Sequence, residues 1–470
     1  MKESKRRFET FNLYDYQGVE AHLSRMAAEG WRLERTGVWF WTYRRAEPAR
    51  VRYAVTYSQN LSQFDPVPTE GQEVLEDLCE AAGWKSVCGW NQMQIFATED
   101  EHPVPLETDE ALRLEVIHRT MKKHYFPANL ILLALGLLMS ASAISSAVRT
   151  PLRFFGSNGR MFSALMYLIM VLLLLFNLGT YLLWRRRSER SVAAGGTCVP
   201  MGAGYRRTAA ASLAVVLLLM AGYAVLESVT MQAGYGLFFM AYMALFFLLM
   251  IVVHGTKNAL KRRGVSRGKN MAVTLAVDLL LAFALVGGLT FAAFRFNWFG
   301  SGQGDSYTYQ REPWDASPVS IPLTNADVTG EAFDHVRRYV YARGSFLLPV
   351  RTFRETALRE GDGLRRILRY TIQEPKMQWL YDAVLENELE DRTEDVLGEG
   401  TWIRTIAWRE EDPSPWGAEA VWRQYRDGKA ADVWLLCWPG RAVEVELDLD
   451  LEEAPSPEEM ARIGQGLRTA

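Results

Sequence analysis

The middle third of the chain is written in long apolar runs, while both flanks alternate in helical and strand-like patterns. Five runs stand out, at residues 126–147, 161–184, 208–229, 237–253 and 271–294. Each has about 17–24 residues, the length an α-helix needs to cross ~30 Å of hydrocarbon. Within the second, Leu165–Leu175 reads LMYLIMVLLLL and carries no charge. A buried soluble helix of that length would show a polar face. The pattern predicts five transmembrane helices over residues 125–296, against the alternative of a large soluble helical core.

The amino-terminal flank, residues 1–120, reads as an α+β module. Apolar positions at Val19, Leu23, Met26 and Ala27 have helical spacing within Gly18–Ala28. Trp31–Arg45 is aromatic and β-branched and predicts two strands joined near Thr36 and Gly37. Arg52–Tyr57 predicts a third strand, Gln72–Ala82 a second helix, and Lys85–Cys88 with Gln92–Ala97 a hairpin around Trp90 and Asn91. Both helices end in a Gly-Trp pair, Gly30-Trp31 and Gly83-Trp84. Glycine suits the left-handed position that closes a helix. Two αββ half-repeats fit this spacing; so does a chance pair of capped helices.

Residues 297–318 form a linker, rich in Gly, Ser, Asp and Pro from Gly300 onward. Residues 319–470 then predict a second α+β unit with an antiparallel sheet. Leu364–Ile372 and Thr401–Trp408 read as strands, and Pro375–Asp391 as a helix opened by its proline. Strands at Ala418–Tyr425, Asp432–Trp438 and Ala442–Leu449 are joined by Asp427-Gly428 and Pro439-Gly440 turns. In the last strand Val443, Val445, Leu447 and Leu449 face one way, and Glu444, Glu446, Asp448 and Asp450 the other. That acidic row reads as a solvated face, because alternate residues lie ~7 Å apart, too far for a cation cage. Pro455–Leu467 predicts a closing helix.

Charge separates the three regions. The net charge of −3 conceals −4 over residues 1–124, +13 over 125–299 and −12 over 300–470. Basic residues cluster before the first run (Arg119, Lys122, Lys123), after the second (Arg185, Arg186, Arg187, Arg190, Arg206, Arg207) and after the fourth (Lys257, Lys261, Arg262, Arg263, Arg267, Lys269). The loop after the first run has Arg149, Arg153 and Arg160, and the loop after the third has none. Lys and Arg near spans stay on the cytoplasmic side. The amino end is therefore expected inside and, with five spans, the carboxyl end outside. If one span does not cross, both ends lie inside. No apolar signal segment occupies the first 30 residues. Arg185, Arg186, Arg187, Lys261, Arg262 and Arg263 are read as topology determinants, with contact to anionic lipid head groups as the alternative. Trp184 and Trp298, with Tyr125, Tyr181 and Tyr235, sit near run ends as interfacial anchors.

The run Phe11, Tyr14-Asp15-Tyr16, Glu20, Leu23, Met26-Ala27 and Gly30-Trp31 resembles the family called domain of unknown function 2812. So do Tyr53, Val55 and Tyr57, Gly83-Trp84, Gln94-Ile95-Phe96 and Pro105-Leu106-Glu107-Thr108-Asp109-Glu110. The resemblance covers about residues 5–120. It implies a bacterial membrane protein with a cytoplasmic amino-terminal module and a regulatory or stress-related setting. It transfers no catalytic residue.

Candidate chemistry is sparse. No Walker loop, G-x-S-x-G elbow, H-E-x-x-H helix or C-x-x-C pair occurs, so neither an enzyme nor a cofactor or metal site is expected. Tyr14, Asp15, Trp31 and Trp84 are candidates for a contact face toward a cytoplasmic protein partner. The module's negative charge argues against nucleic acid despite its aromatics and arginines. Two acids lie within the apolar runs. Asp278 is expected to make a structural hydrogen bond or to pair with His254, with an ion path as the alternative. Glu227 is expected to reach the outer interface, with an ion path or a packing contact inside the bundle as the alternative. Ser142 with Ser146 and Ala143 with Ala147 form small-residue pairs that favour helix packing within or between chains, so a second copy is a candidate partner. The reading favoured is a membrane sensor or regulatory adaptor. A transporter or transporter accessory, or an envelope-acting enzyme of unrecognised type, are the alternatives.

Overall fold

The computed structural model describes residues 3–37, 40–58, 62–66, 69–90, 92–230, 233–296, 298, 306–361, 363–397, 401–448 and 455–469. Contacts divide the chain into two units, residues 1–140, 166–221 and 241–290, and residues 141–165, 222–240 and 291–470.

The first unit opens with β1 (Ser4–Phe8), α1 (Tyr16–Ala28), β2 (Trp31–Arg35) and β3 (Phe40–Arg45). The same order follows in β4 (Arg52–Tyr57), α2 (Glu70–Ala81), β5 (Lys85–Trp90) and β6 (Met93–Thr98). The two three-stranded sheets are ordered β1-β3-β2 and β4-β6-β5, so each half is a βαββ unit with its third strand central. The half-repeat is thus real and one strand longer than the spacing predicts. β1 escapes the pattern because SKRRF is almost wholly polar and exposed, and only its ladder to β3 makes it a strand. Gly30 and Gly83 both close their helices in the left-handed region, at φ 82° and 83°. α1 buries Val19, Leu23, Met26 and Ala27 against Trp41, Tyr43, Val55 and Ile95. Trp39 and Asn91 lie outside the described residues.

α3 (Glu110–Thr120) runs through a π-helical turn, Met121–Tyr125, into α4 (Phe126–Arg149), so the module joins the first apolar helix without a break. Among the described residues five helices are long and apolar enough to span a membrane. They are the continuous Glu110–Arg149 helix, α6 (Asn158–Ala193), α7 (Ala203–Thr230), α8 (Ala233–Arg262) and α9 (Arg267–Arg295), with the short α5 (Pro151–Phe155) between the first two. Each contains one predicted run and extends beyond it. Leu130, Ile131, Ile144, Leu218, Ile251 and Phe283 are exposed on them. Apolar side chains facing outward along the whole length of a helix suit lipid as solvent, not water.

The second unit carries an antiparallel sheet of eight strands. A hairpin, β7 (Ser306–Tyr309) and β8 (Glu312–Asp315), precedes it inside the segment expected to be linker. Gln310 and Arg311 take positive φ at its turn, a conformation their sequence does not advertise. After α10 (Asn325–Thr329) come β9 (His335–Gly344), β10 (Pro349–Leu358), β11 (Arg365–Gln373), α11 (Gln378–Leu389), β12 (Arg392–Leu397), β13 (Thr401–Glu411), β14 (Ala420–Arg426), β15 (Lys429–Trp438), β16 (Arg441–Asp448) and α12 (Pro457–Arg468). The sheet order is β12-β13-β14-β15-β16-β11-β10-β9. α11 starts three residues after Pro375, which sits in the preceding loop rather than in the first turn. The turns at Asp427-Gly428 and Gly440 have the expected left-handed residues.

One sheet face packs Leu368, Tyr370, Trp434, Val443, Val445 and Leu447 beneath Ile463 and Leu467 of α12. On the other face α11 covers one end, setting Leu380, Tyr381 and Val384 on Leu435, Cys437 and Ala442. The acidic row of β16 belongs to this second face and is not simply solvated. Glu446 lies 3.5 Å from Arg369 and 3.9 Å from Arg426. Burial pushes the Glu444 carboxyl up, helped by Glu388 and Glu446 nearby and opposed by Arg369 and Arg392. Leu449 and Asp450 lie outside the described residues.

Candidate functional site

The densest polar arrangement in the first unit joins the amino-terminal module to the loop between α6 and α7. It begins at Asp15, whose Oδ1 accepts from the Gly18 N–H at 3.1 Å and caps α1. The same oxygen accepts from the Met201 N–H at 3.0 Å. Asp15 is buried, and burial raises its pKa to about 6, while the Met201 and Gly18 N–H groups and Arg206 pull the other way. Tyr14 beside it is buried edge-on to Tyr181, at 5.1 Å between centroids, and tilted on Trp184 at 4.9 Å. Trp184 Nε1 donates to the Val199 carbonyl at 2.8 Å, so the loop is held from two sides.

A second tie starts from Glu110 at the first turn of α3. Its Oε2 accepts from Tyr16 Oη at 2.8 Å and from the Cys198 N–H at 3.2 Å. Arg113, one turn on, stacks over the Tyr16 ring at 3.8 Å. Its guanidinium meets Glu107 at 3.0 Å, Glu110 at 3.3 Å and Glu20 at 3.4 Å, and donates to the Val55 carbonyl at 2.9 Å. Three carboxylates around one guanidinium leave the site short of positive charge. Burial first, then repulsion from Glu107 and Glu110, lifts Glu20 to about 7 against the pull of Arg113 and the Val55 N–H. Farther along, His118 Nδ1 lies 2.9 Å from Tyr181 Oη and 3.0 Å from Arg185 Nη1.

A third tie reaches the facing ends of α8 and α9. Lys257 Nζ donates to Gln63 Oε1 at 3.1 Å, and Asn270 Nδ2 to the Phe64 carbonyl at 3.1 Å. Both Lys257 and Asn270 are buried. The module is thus fastened to the α6–α7 loop and to the ends of α8 and α9, beside the basic residues clustered at these helix ends.

These placements revise several expectations. Tyr14, Asp15 and Trp84 are 2, 3 and 5% exposed, so they do not form an outward contact face. Trp84 donates to the Val104 carbonyl in the segment between β6 and α3. Trp31 is half-buried beneath Lys5 and Arg45. Arg185 pairs with Glu189 at 2.7 Å, whereas Arg186, Arg187 and Arg263 are exposed. Lys261 and Arg262 line a cleft of about 620 Å³ with Arg35, Gln72 and Glu76. His254 approaches Lys257 at 3.5 Å, and among the described residues no hydrogen bond or ion pair joins it to Asp278. Glu227, in the second unit, is buried and accepts from Tyr223 Oη at 2.6 Å instead of reaching outward.

The joint residues that sequence reasoning leaves unassigned are Glu20, Glu107, Glu110 and Arg113. The signal is present: Tyr16, Glu20, Glu107 and Glu110 stand within the stretches that carry the family resemblance. Cys198, which donates to Glu110, lies 88 residues away along the chain, and Met201, which donates to Asp15, lies 186 away; contributions from backbone N–H groups leave no mark in sequence.

Five lipid-suited helices with a folded module built onto their ends define a multi-pass membrane protein. Residues 15–128, from Asp15 into α4, match the family model described as Protein of unknown function (DUF2812). No curated protein and no solved structure matches the chain.

Proposed function

We propose that this protein is a non-enzymatic membrane sensor or regulatory adaptor. Its amino-terminal module lies in the cytoplasm and binds a protein partner there, and its carboxyl-terminal domain faces outward. The observation that carries this reading is the joint: buried Asp15 and half-buried Glu110 each accept a backbone N–H from the α6–α7 loop. A shift of α6 against α7 moves Cys198 and Met201, and with them the first turns of α1 and α3. The basic loops that meet the module support the cytoplasmic assignment, because Lys and Arg near spans resist translocation. The odd number of spans then carries the carboxyl end outside.

Val74 and Leu78 are exposed one turn apart on α2 and mark where a partner is sought. A photo-cross-linker at Leu78 in native membranes should capture one specific protein, with a yield that changes in Asp15→Asn. Absence of any specific adduct, at rest and under envelope stress alike, would sink the proposal.

A further inference from the structure

The carboxyl-terminal domain is strongly acidic, yet one part of its sheet is basic. An open groove of about 530 Å³ lies between the β7–β8 hairpin and the face formed by β9, β10 and β11. Four arginines line it, Arg337, Arg354, Arg365 and Arg369, against the single carboxylate of Glu312. It continues past Arg354 and Arg369 into a second stretch of about 560 Å³ that adds Arg426 and Lys429 together with the carboxylates of Asp432 and Glu446. In an acidic domain such a groove is a local reversal of the field.

The strand register explains how the charges are held. Tyr339 pairs with Arg354, Arg354 with Arg369, and Arg369 with Glu446, making one row across four strands. Two arginines directly opposite each other repel, which costs stability in an antiparallel pair. Glu446 offsets Arg369 and Glu312 offsets Arg365, at 3.5 and 3.1 Å. Among the described residues the side chains of Arg354 and Arg337 make no hydrogen bond or ion pair, and that of Arg337 only stacks on Tyr339, at 4.9 Å. The hydroxyls of Thr352 and Thr356 and the rings of Tyr339 and Tyr341 complete the wall.

We propose that this groove binds a flexible, hydroxyl-rich chain bearing spaced phosphates, a polyol- or sugar-phosphate polymer of the cell envelope. Guanidinium forks match phosphate oxygens. Adjacent strands set Arg354 and Arg369 ~4.8 Å apart, and Arg337 and Arg365 stand elsewhere along the groove, so more than one phosphate site is offered. A single phosphate would occupy only the Arg354–Arg369 pair. The threonine hydroxyls and tyrosine rings suit polyol hydroxyls and sugar faces. A stiff, densely charged nucleic acid would leave the groove onto an acidic surface that repels it. A flexible chain with spaced charges escapes that penalty. The ligand class gives the outer domain something to sense and rests on the sensor reading for its meaning, whereas binding itself does not require the joint.

Binding is measured by calorimetry on the full-length protein in zwitterionic nanodiscs. The probes are poly(glycerol phosphate), inorganic phosphate, a single-stranded oligonucleotide of equal charge and phosphatidylglycerol vesicles. Poly(glycerol phosphate) is expected to bind at least tenfold more tightly than the other three. Arg354→Gln and Arg337→Gln should each weaken it about tenfold, whereas Glu446→Gln, which frees Arg369, should strengthen it. Opposite signs separate a charge effect from misfolding, which would weaken all three. Asp15→Asn should leave binding unchanged, so loss of the joint and loss of the groove are read apart. No binding, equal binding of any competing probe, or weakening by Glu446→Gln would overturn the proposal.

Discussion

At the scale of single residues, the joint depends on Asp15 doing two tasks with one oxygen. Replacing it by alanine removes an N-cap, worth ~1 kcal/mol, and leaves the Met201 N–H buried without a partner, worth a further ~1–3 kcal/mol. Asp15→Ala should therefore make the Gly195–Arg206 segment cleavable by protease in membranes while α2 stays protected. Gly18 is the companion test. Alanine inside a helix normally stabilises by about 1 kcal/mol over glycine. Here a β-carbon would overlap the Asp15 carboxylate, so Gly18→Ala should destabilise and reproduce the Asp15→Ala cleavage pattern.

The same residues set a pH dependence. Asp15 at about 6 and Glu20 at about 7 both sit above their ordinary carboxylate values. The folded form then binds protons more tightly than the unfolded form, so these groups favour folding at low pH. That contribution fades as pH rises through 6 to 7, with a slope of about 1.4 kcal/mol per pH unit for each group between its unfolded and folded values. Thermal midpoints of the membrane-embedded module should fall from pH 5 to pH 7.5. Asp15→Asn combined with Glu20→Gln should flatten that fall.

At the scale of elements, the two βαββ units share a topology but close their first helices under different constraints. Gly30 and Gly83 are both left-handed, where any β-carbon costs roughly 1–2 kcal/mol. A β-carbon at Gly30 would lie 3.0 Å from the Ala46 carbonyl oxygen, whereas one at Gly83 would meet open space. Both glycine-to-alanine variants should lower the unfolding midpoint in denaturant, Gly30→Ala further. The helices, hairpins and glycine closures are readable because each is encoded within a dozen residues. β9 and β10 are not. Arginines at 337, 338, 343, 351 and 354 fall on both faces of these strands and erase the apolar alternation, although the register to β11 is regular. Their place in the sheet comes from long-range ladders that pattern reading cannot sense. Glu227 departs from expectation for a related reason: its partner Tyr223 is one turn away, but burial of the pair depends on Phe162 and Phe239 packing around the Tyr223 ring.

At the scale of the whole molecule, five apolar runs become five helices because length and composition alone decide whether a segment suits hydrocarbon. Orientation is a separate matter, argued from charge. In a variant lacking its native cysteines, Lys429→Cys should react with a membrane-impermeant maleimide in intact cells, and Glu73→Cys only after permeabilisation. The reverse pattern would invert the topology, and labelling of neither would place both ends inside.

The unbroken passage from α3 through the π-helical turn into α4 has a mechanical meaning. A π-helical turn accommodates one residue more than the α-helix around it. Each residue of an α-helix advances about 100° of rotation. Met121–Tyr125 is therefore slack in the helix: removing one residue there, Lys122 for example, would let the helix run on in plain α form with the segments on either side in nearly their present angular setting. Glu110 and Arg113 would still face Cys198 and Glu20. The same deletion placed within α3, Glu115 for example, meets no such slack and would turn Glu110 and Arg113 by about 100° away from their partners, while the chemistry of every other side chain stays intact.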